Sequence, residues 1–362
     1  MFGDTDITAG LSSLQFEHGV EPRHKGFLHL VQRSHLTALT VCAHSVFFCK
    51  LLLYVRHPEV KWCSLHTPPK LLQISHNEHL RVGIIGGGHL GKKLALCLTH
   101  LSGLHAEEIR ISTRRPETLR ELQELGVQCF YNNVALASWA QVLFLCCLPS
   151  QLPTVCAEIR NHLQESCIVY SLASAVPLPR LKQLLSHSSV IRLKYRYESK
   201  VNEQELDKKG TITAVLRDAS VVKTLIPGDP EQGGVCVVSR WIESSVYAAL
   251  NMCTFDHLSH QQSLNILNTL IQQLDSQEGK TSSPALIKEH FVIKDICSAL
   301  SEDSSFPLVD LISVQTKDTP FSQHLASSPW LQKRFLQLFY TCFVGSLAEM
   351  NQTHLTLTSK DS

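Results

Sequence analysis

The chain of 362 residues carries 33 lysines and arginines against 32 aspartates and glutamates, a formal net charge of +1. That balance excludes a global field able to draw the protein onto nucleic acid or an anionic membrane, so any anion recognition has to be local. With 44% hydrophobic and 18% charged residues, the chain is also not wholly disordered, and its length suggests two domains.

Thirteen cysteines are present and none forms a C-x-x-C pair, so the spacing supports neither a metal site nor a disulfide framework. Several lie within apolar runs, as Cys146 and Cys147 do, where a free thiol behaves as a small hydrophobe. The expectation is a reduced, cytoplasmic protein. The opening residues Met1 to Asp6 have neither the basic and apolar regions of a secretory signal nor the arginines of a transit peptide.

In chain order, residues 1–78 form an N-terminal extension. Its one clear element is a helix at 36–55, apolar and about long enough to span a bilayer but interrupted by His44 and Lys50. These two polar side chains favour a buried or docked helix over a membrane span. Pro68 and Pro69 then break the chain. Strand and helix patterns alternate afterwards. Strands are expected at 81–85, 108–112, 127–131, 142–148, 168–171 and 190–193, and helices at 90–101, 116–125, 150–163 and 177–185. This alternation predicts an α/β fold with a Rossmann-type parallel sheet over 79–197. The remainder, 198–362, reads as mostly helical, with a charged stretch at 198–210 and strand-like pieces near 212–216 and 235–238. Ile266, Leu267, Leu270, Ile271 and Leu274 form one apolar helix stripe. Phe335, Phe339, Phe343 and Leu347 form another, and such stripes serve core packing or a homodimer interface.

The chemistry begins at Gly86-Gly87-Gly88-His89-Leu90-Gly91, which fits G-x-G-x-x-G between a strand and a helix. Gly86 permits the turn, Gly88 lets a pyrophosphate approach the backbone, and Gly91 allows close helix–strand packing. The helix opening near His89 directs N–H groups at the phosphates, and the task expected of His89 is local hydrogen bonding. The second strand runs into Ser112-Thr113-Arg114-Arg115. An acid there would hold the ribose hydroxyls of NAD. Two hydroxyls and two guanidiniums favour the 2′-phosphate of NADP instead.

These residues place 80–192 in resemblance to the pyrroline-5-carboxylate reductase family, and more broadly to the domain that family shares with deazaflavin-dependent NADP oxidoreductases. The likeness is carried by Arg81 to Ile85 with the glycine loop, by Ser112 to Glu117, by 142–149, and by 168–185 with Ser171-Leu172-Ala173-Ser174-Ala175. It implies NADP as cofactor, adds Cys147, Leu148, Pro149 and Ala173 to the cofactor-binding residues, and points to proline metabolism. The departures fall on the substrate side. Cys147-Leu148-Pro149 replaces the family's Val-Lys-Pro, its Met-Pro-Asn-Thr-Pro run is absent after Leu193, and no Ser/Thr-Gly-rich segment occurs in 235–250.

The catalytic residues stay unassigned. Lys194, Tyr195 and Tyr197, which leave the sixth strand, are the candidates to line a substrate site. Two functions are open: an NADP(H)-dependent reductase of a small imine or carbonyl compound, or a regulatory protein that keeps the nucleotide fold without catalysis.

Overall fold

The computed structural model describes residues 20–62, 79–197, 210–226, 235–237, 240–273 and 284–344. Six parallel strands form the main sheet: β1 (Val82–Ile85), β2 (Ile109–Ser112), β3 (Gln128–Phe130), β4 (Val142–Leu145), β5 (Ile168–Ser171) and β6 (Val190–Arg192). Their order is β3-β2-β1-β4-β5-β6, the doubly wound arrangement expected of a Rossmann-type domain. Every residue of β1, β4 and β5 is buried, which is why these strands read as continuous apolar runs rather than alternating ones.

Helix α1 (Leu28–Arg56) is the 29-residue element before the sheet. Beyond its exposed first turns it has no polar face, because from Leu39 on it is covered all round. Residues from Leu39 to Val55 are buried, packed against α2 (His89–Leu101) on one side and a C-terminal helix on the other. Lys50 is fully buried too. Its Nζ donates to the Cys342 carbonyl at 3.4 Å and lies 5.2 Å from the Trp62 ring centroid. A lysine is tolerated there because that carbonyl ends a helix, where partial negative charge accumulates.

The other helices of the sheet domain are α3 (Arg120–Glu124), α4 (Asn133–Trp139), α5 (Leu152–Ile159) and α6 (Leu178–Leu185). Helix α4 has no counterpart among the elements read from the sequence. Asn132 caps it, its side chain accepting from the Ala135 N–H at 2.9 Å. The fourth strand stops at Leu145, three residues earlier than expected, and Cys146 to Leu148 leave the sheet. After β6 the chain enters β7 (Tyr195–Tyr197), which pairs antiparallel with β8 (Val235–Val237). The piece near 212–216 is a helix, not a strand. Its β-branched residues suit either state, but Thr211 caps α7 (Ile212–Val215) by accepting from the Ala214 N–H.

Helix α8 (Ala219–Thr224) leads to the C-terminal group: α9 (Trp241–Phe255), α10 (His260–Gln272), α11 (Lys294–Ala299), α12 (Leu311–Thr316), α13 (Pro320–Ser327) and α14 (Pro329–Thr341). The expected stripes lie on α10 and α14. Leu267, Leu270, Ile271, Phe335, Phe339 and Phe343 are buried in the chain's own core. Leu274 and Leu347, like residues 198–209, lie outside the described residues. A dimer through these two helices would therefore use their outer sides. The group docks on the sheet edge through α12. Gln315 Nε2 donates to the Val190 carbonyl at 2.8 Å, and Gln315 Oε1 accepts from the Arg192 N–H at 2.9 Å. One side chain thus pairs with β6 as a seventh strand would.

Candidate functional site

A cavity of about 820 Å³ opens at the carboxyl ends of β1, β2, β4 and β5. It spans the point where strand order reverses between β1 and β4, the usual ligand position in such sheets. Gly86 to Leu90 form its floor and Ser112 to Arg115 one end. Cys147 to Pro149 and Ala173 form the other. Gly91 is the one expected cofactor-binding residue outside the lining. It sits behind the floor, where a Cβ would fall 1.9 Å from the Gly86 carbonyl oxygen. Its role is the close packing of α2 against the turn.

Each glycine of the loop answers a local demand. Gly86 has φ +106°, in the region that favours glycine, and its N–H donates to the Ser112 carbonyl at 2.9 Å. A Cβ on Gly87 would meet Leu119 and Thr113 within 3.0 Å. A Cβ on Gly88 would meet nothing within 4 Å, because it would point into the cavity. Gly88 is also the N-cap of α2 and supplies no side-chain cap, so the N–H groups of the first turn are directed at the cavity for an anion to accept.

Arg114 and Arg115 are exposed at the end of the cavity, and neither forms an ion pair with an acid among the described residues. Ser112 plays a different part from the one expected. It is 1% exposed, its Oγ donates to Asn133 Oδ1 at 2.7 Å, and it accepts from the Asn132 N–H at 3.1 Å. Asn133 Nδ2 in turn donates to Glu158 Oε2 at 2.7 Å. This chain of contacts ties the end of β2 to α4 and α5, so Ser112 fixes the turn while Thr113 and the two arginines face outward. Tyr131, Asn133 and Glu158 line the cavity beside them and were not identified from the sequence. Asn133 follows a capping asparagine, which marks a helix start but not a site. Nothing in the pattern marks Tyr131 or Glu158.

At the opposite end, burial raises the thiol pKa of Cys146, aided by the nearby Cys42 and Cys147 thiols, and burial likewise raises that of Cys147. Both stay protonated at neutral pH and serve as wall rather than nucleophile. Arg192 Nη1 donates to the Ser174 carbonyl at 2.5 Å and holds the loop after β5 against this wall. Of the three residues expected to line a substrate site, the two whose side chains are described lie elsewhere. Lys194 is exposed outside the lining, and Tyr195 turns its hydroxyl into the interior. The Tyr197 side chain lies outside the described part. In β7, Tyr195 pairs with Val237 of β8 and its ring lies parallel to that of His44 of α1.

Residues 81–174 match the family described as NADP oxidoreductase, coenzyme F420-dependent. The chain is 38% identical over 360 residues to the NADP-dependent oxidoreductase domain-containing protein 1 of Mus musculus, covering 95% of each. The chain belongs to the family of NADP-dependent oxidoreductase domain-containing protein 1. Family membership makes the sheet domain an NADP-dependent oxidoreductase domain and assigns no substrate. Pyrroline-5-carboxylate reductase 3 of Rattus norvegicus is 23% identical, over 56% of this chain and 80% of that protein. Among solved structures, a pyrroline-5-carboxylate reductase from Coxiella burnetii aligns over 73% of this chain and 96% of its own, with 16% identity and a TM-score of 0.31.

Proposed function

We propose that the cavity binds NADP(H) and that the protein is an oxidoreductase transferring hydride to or from a small imine or carbonyl compound, of the kind named in its pyrroline-5-carboxylate reductase relatives. The observation that carries this reading is the pairing of an open cradle at Gly88 with two guanidiniums one strand away that form no ion pair among the described residues. The uncapped first turn of α2 would hold the pyrophosphate, and Arg114 and Arg115 the 2′-phosphate. When bound, NADPH supplies the hydride. The chain's own residues position and shield it: Cys146 to Pro149 and Leu172 to Ala175 form the walls of that end and exclude water. The hydroxyls of Ser150 and Ser174 line the same end and offer the proton relay that an imine substrate calls for.

The test is cofactor choice. A guanidinium–phosphate contact at a partly exposed site contributes roughly 1.5–3 kcal/mol. Isothermal titration should thus show NADPH binding at least about tenfold more tightly than NADH, with the margin shrinking as salt rises. Arg114→Ala should remove most of the margin and leave NADH affinity nearly unchanged. Equal affinity of the unmodified protein for the two cofactors would overturn the assignment of this turn. Oxidation of NADPH with a panel of cyclic imines then separates turnover from binding alone.

The same reading places the protein in a reducing compartment such as the cytoplasm. Support comes from the cysteines whose side chains are described, which are free thiols and mostly buried. It also makes α1 a core helix rather than an anchor, although its length and composition alone would let it cross a membrane. Alkaline carbonate extraction of the full chain should leave it in the soluble fraction, and retention in the pellet would overturn this placement.

A further inference from the structure

At the arginine end of the cavity stand two side chains to which the phosphates of a dinucleotide give no task, Tyr131 and Glu158. Tyr131 follows β3 and is 60% exposed. Its ring and hydroxyl make no hydrogen bond or ring contact with the described residues. Glu158 lies on α5, where Thr154, Val155 and Glu158 share one face at helical spacing and line the cavity together. A large aromatic face left open forfeits the burial it could gain, and a carboxylate beside two guanidiniums would ordinarily pair with them.

Glu158 pairs with neither arginine among the described residues. Its Oε2 accepts from Asn133 Nδ2 at 2.7 Å, and Asn133 Oδ1 accepts from Ser112 Oγ at 2.7 Å. This relay starts at the strand whose end carries Arg114 and Arg115, so it fixes the carboxylate relative to the phosphate subsite. Glu158 Oε1 takes no hydrogen bond from the described residues. A carboxylate oxygen only accepts. It would repel the 2′-phosphate and calls for a neutral donor beside it. The part of the dinucleotide attached to the phosphorylated ribose is adenine. That base is flat and apolar on both faces, and on its edge the ring nitrogens accept while the 6-amino group alone donates.

We propose that Tyr131 and Glu158 read the adenine base of the cofactor: the Tyr131 ring stacks on its face and Glu158 Oε1 accepts from its 6-amino group. The inference rests on the cofactor reading given above and adds base selectivity to it. Hypoxanthine carries a 6-oxo group in place of the amine, so two acceptors would face each other. Reaching its N1–H instead would require the base to slide along the stack.

Titration of the full chain with NADPH and with its hypoxanthine analogue decides it. The unmodified protein should bind NADPH about tenfold more tightly than the analogue. Glu158→Gln keeps an oxygen for Asn133 and turns its NH2, a donor, toward the base, so the preference should vanish or reverse. Tyr131→Ala should weaken NADPH and 2′,5′-ADP alike by about tenfold through loss of the stack, whereas Tyr131→Phe should bind as the unmodified protein does. Both side chains are exposed, so the variants should fold normally. The margin of NADPH over NADH should survive in all of them, because Arg114 and Arg115 are untouched. Equal affinity of the unmodified protein for the two bases, or an unchanged preference in Glu158→Gln, overturns the role of Glu158. Unchanged affinity in Tyr131→Ala overturns the stack. In each of these results NADPH still binds and the cofactor assignment stands, whereas an absence of NADPH binding overturns both.

Discussion

Gly91→Ala should destabilise the protein and Gly88→Val should not, although the two positions are three residues apart in one motif. A Cβ on Gly91 falls 1.9 Å from the Gly86 carbonyl oxygen and 3.0 Å from its carbon, so the turn or the helix has to move. Gly86 is constrained in its turn by a positive φ and by its bond to Ser112, and a Cβ at Gly86 itself would meet the Cys146 carbonyl at 2.8 Å. Overpacking of a site that cannot yield costs about 1–3 kcal/mol or more. A Cβ on Gly88 meets nothing, so Gly88→Val should stay within about 1 kcal/mol of the unmodified protein, the cost of a poorer N-cap. Its branched side chain would instead occupy the space assigned to the pyrophosphate. Loss of two charge-assisted hydrogen bonds of about 1.5 kcal/mol each lowers NADPH affinity roughly a hundredfold. Thermal melts together with fluorescence titration separate the two outcomes. Wild-type NADPH affinity in a folded Gly88→Val protein would falsify the cradle.

The second large effect is on acid stability. Burial lowers the His44 pKa to about 3, against an unfolded value of about 6.5. The folded state therefore excludes a proton that the unfolded state accepts. Stability is fully present above pH about 6.5 and is lost progressively as the pH falls towards 3, at about 1.4 kcal/mol per pH unit for this one group. Burial shifts His187, His290 and His324 in the same direction, and the stacked His290–His324 pair, 3.6 Å between centroids, adds mutual repulsion at His290. Urea titrations between pH 7 and 5 should show stability falling with pH. In His44→Phe the fall should be shallower by about one proton's contribution, whatever the variant's absolute stability. Equal slopes for the two proteins would show that folding leaves the His44 pKa unchanged.

The parts of this fold that are legible in the sequence are those where backbone geometry restricts residue type. β1, β4 and β5 are recognisable because strands covered on both faces need largely apolar runs. Gly86 and Gly91 are recognisable because no side chain fits. The helix at 133–139 escaped notice because seven residues are too few to establish a period, and its one signal is the capping Asn132. The residues 212–216 misled for a related reason: β-branched side chains suit a strand, and a single capping threonine outweighs them. Arg114 and Arg115 face the cavity as their type suggested, but the direction of the Ser112 hydroxyl depends on Asn133, twenty-one residues on. Tyr131 and Glu158 join the site only through tertiary folding. Tyr195 follows β6, a position that suggests a substrate site, but its partner strand lies forty residues later and its hydroxyl is buried in the interior.

The burial of α1 also sets an order of events during synthesis. This helix leaves the ribosome before any element that covers it. Its cover is complete only when α14, some 285 residues later, has been made, because Lys50 and Phe47 meet residues of that last helical segment. At about 5–20 residues per second the wait lasts roughly a quarter of a minute to a minute. Throughout it the nascent chain presents an apolar helix of bilayer length, the kind of segment that a translocon or a holdase chaperone engages.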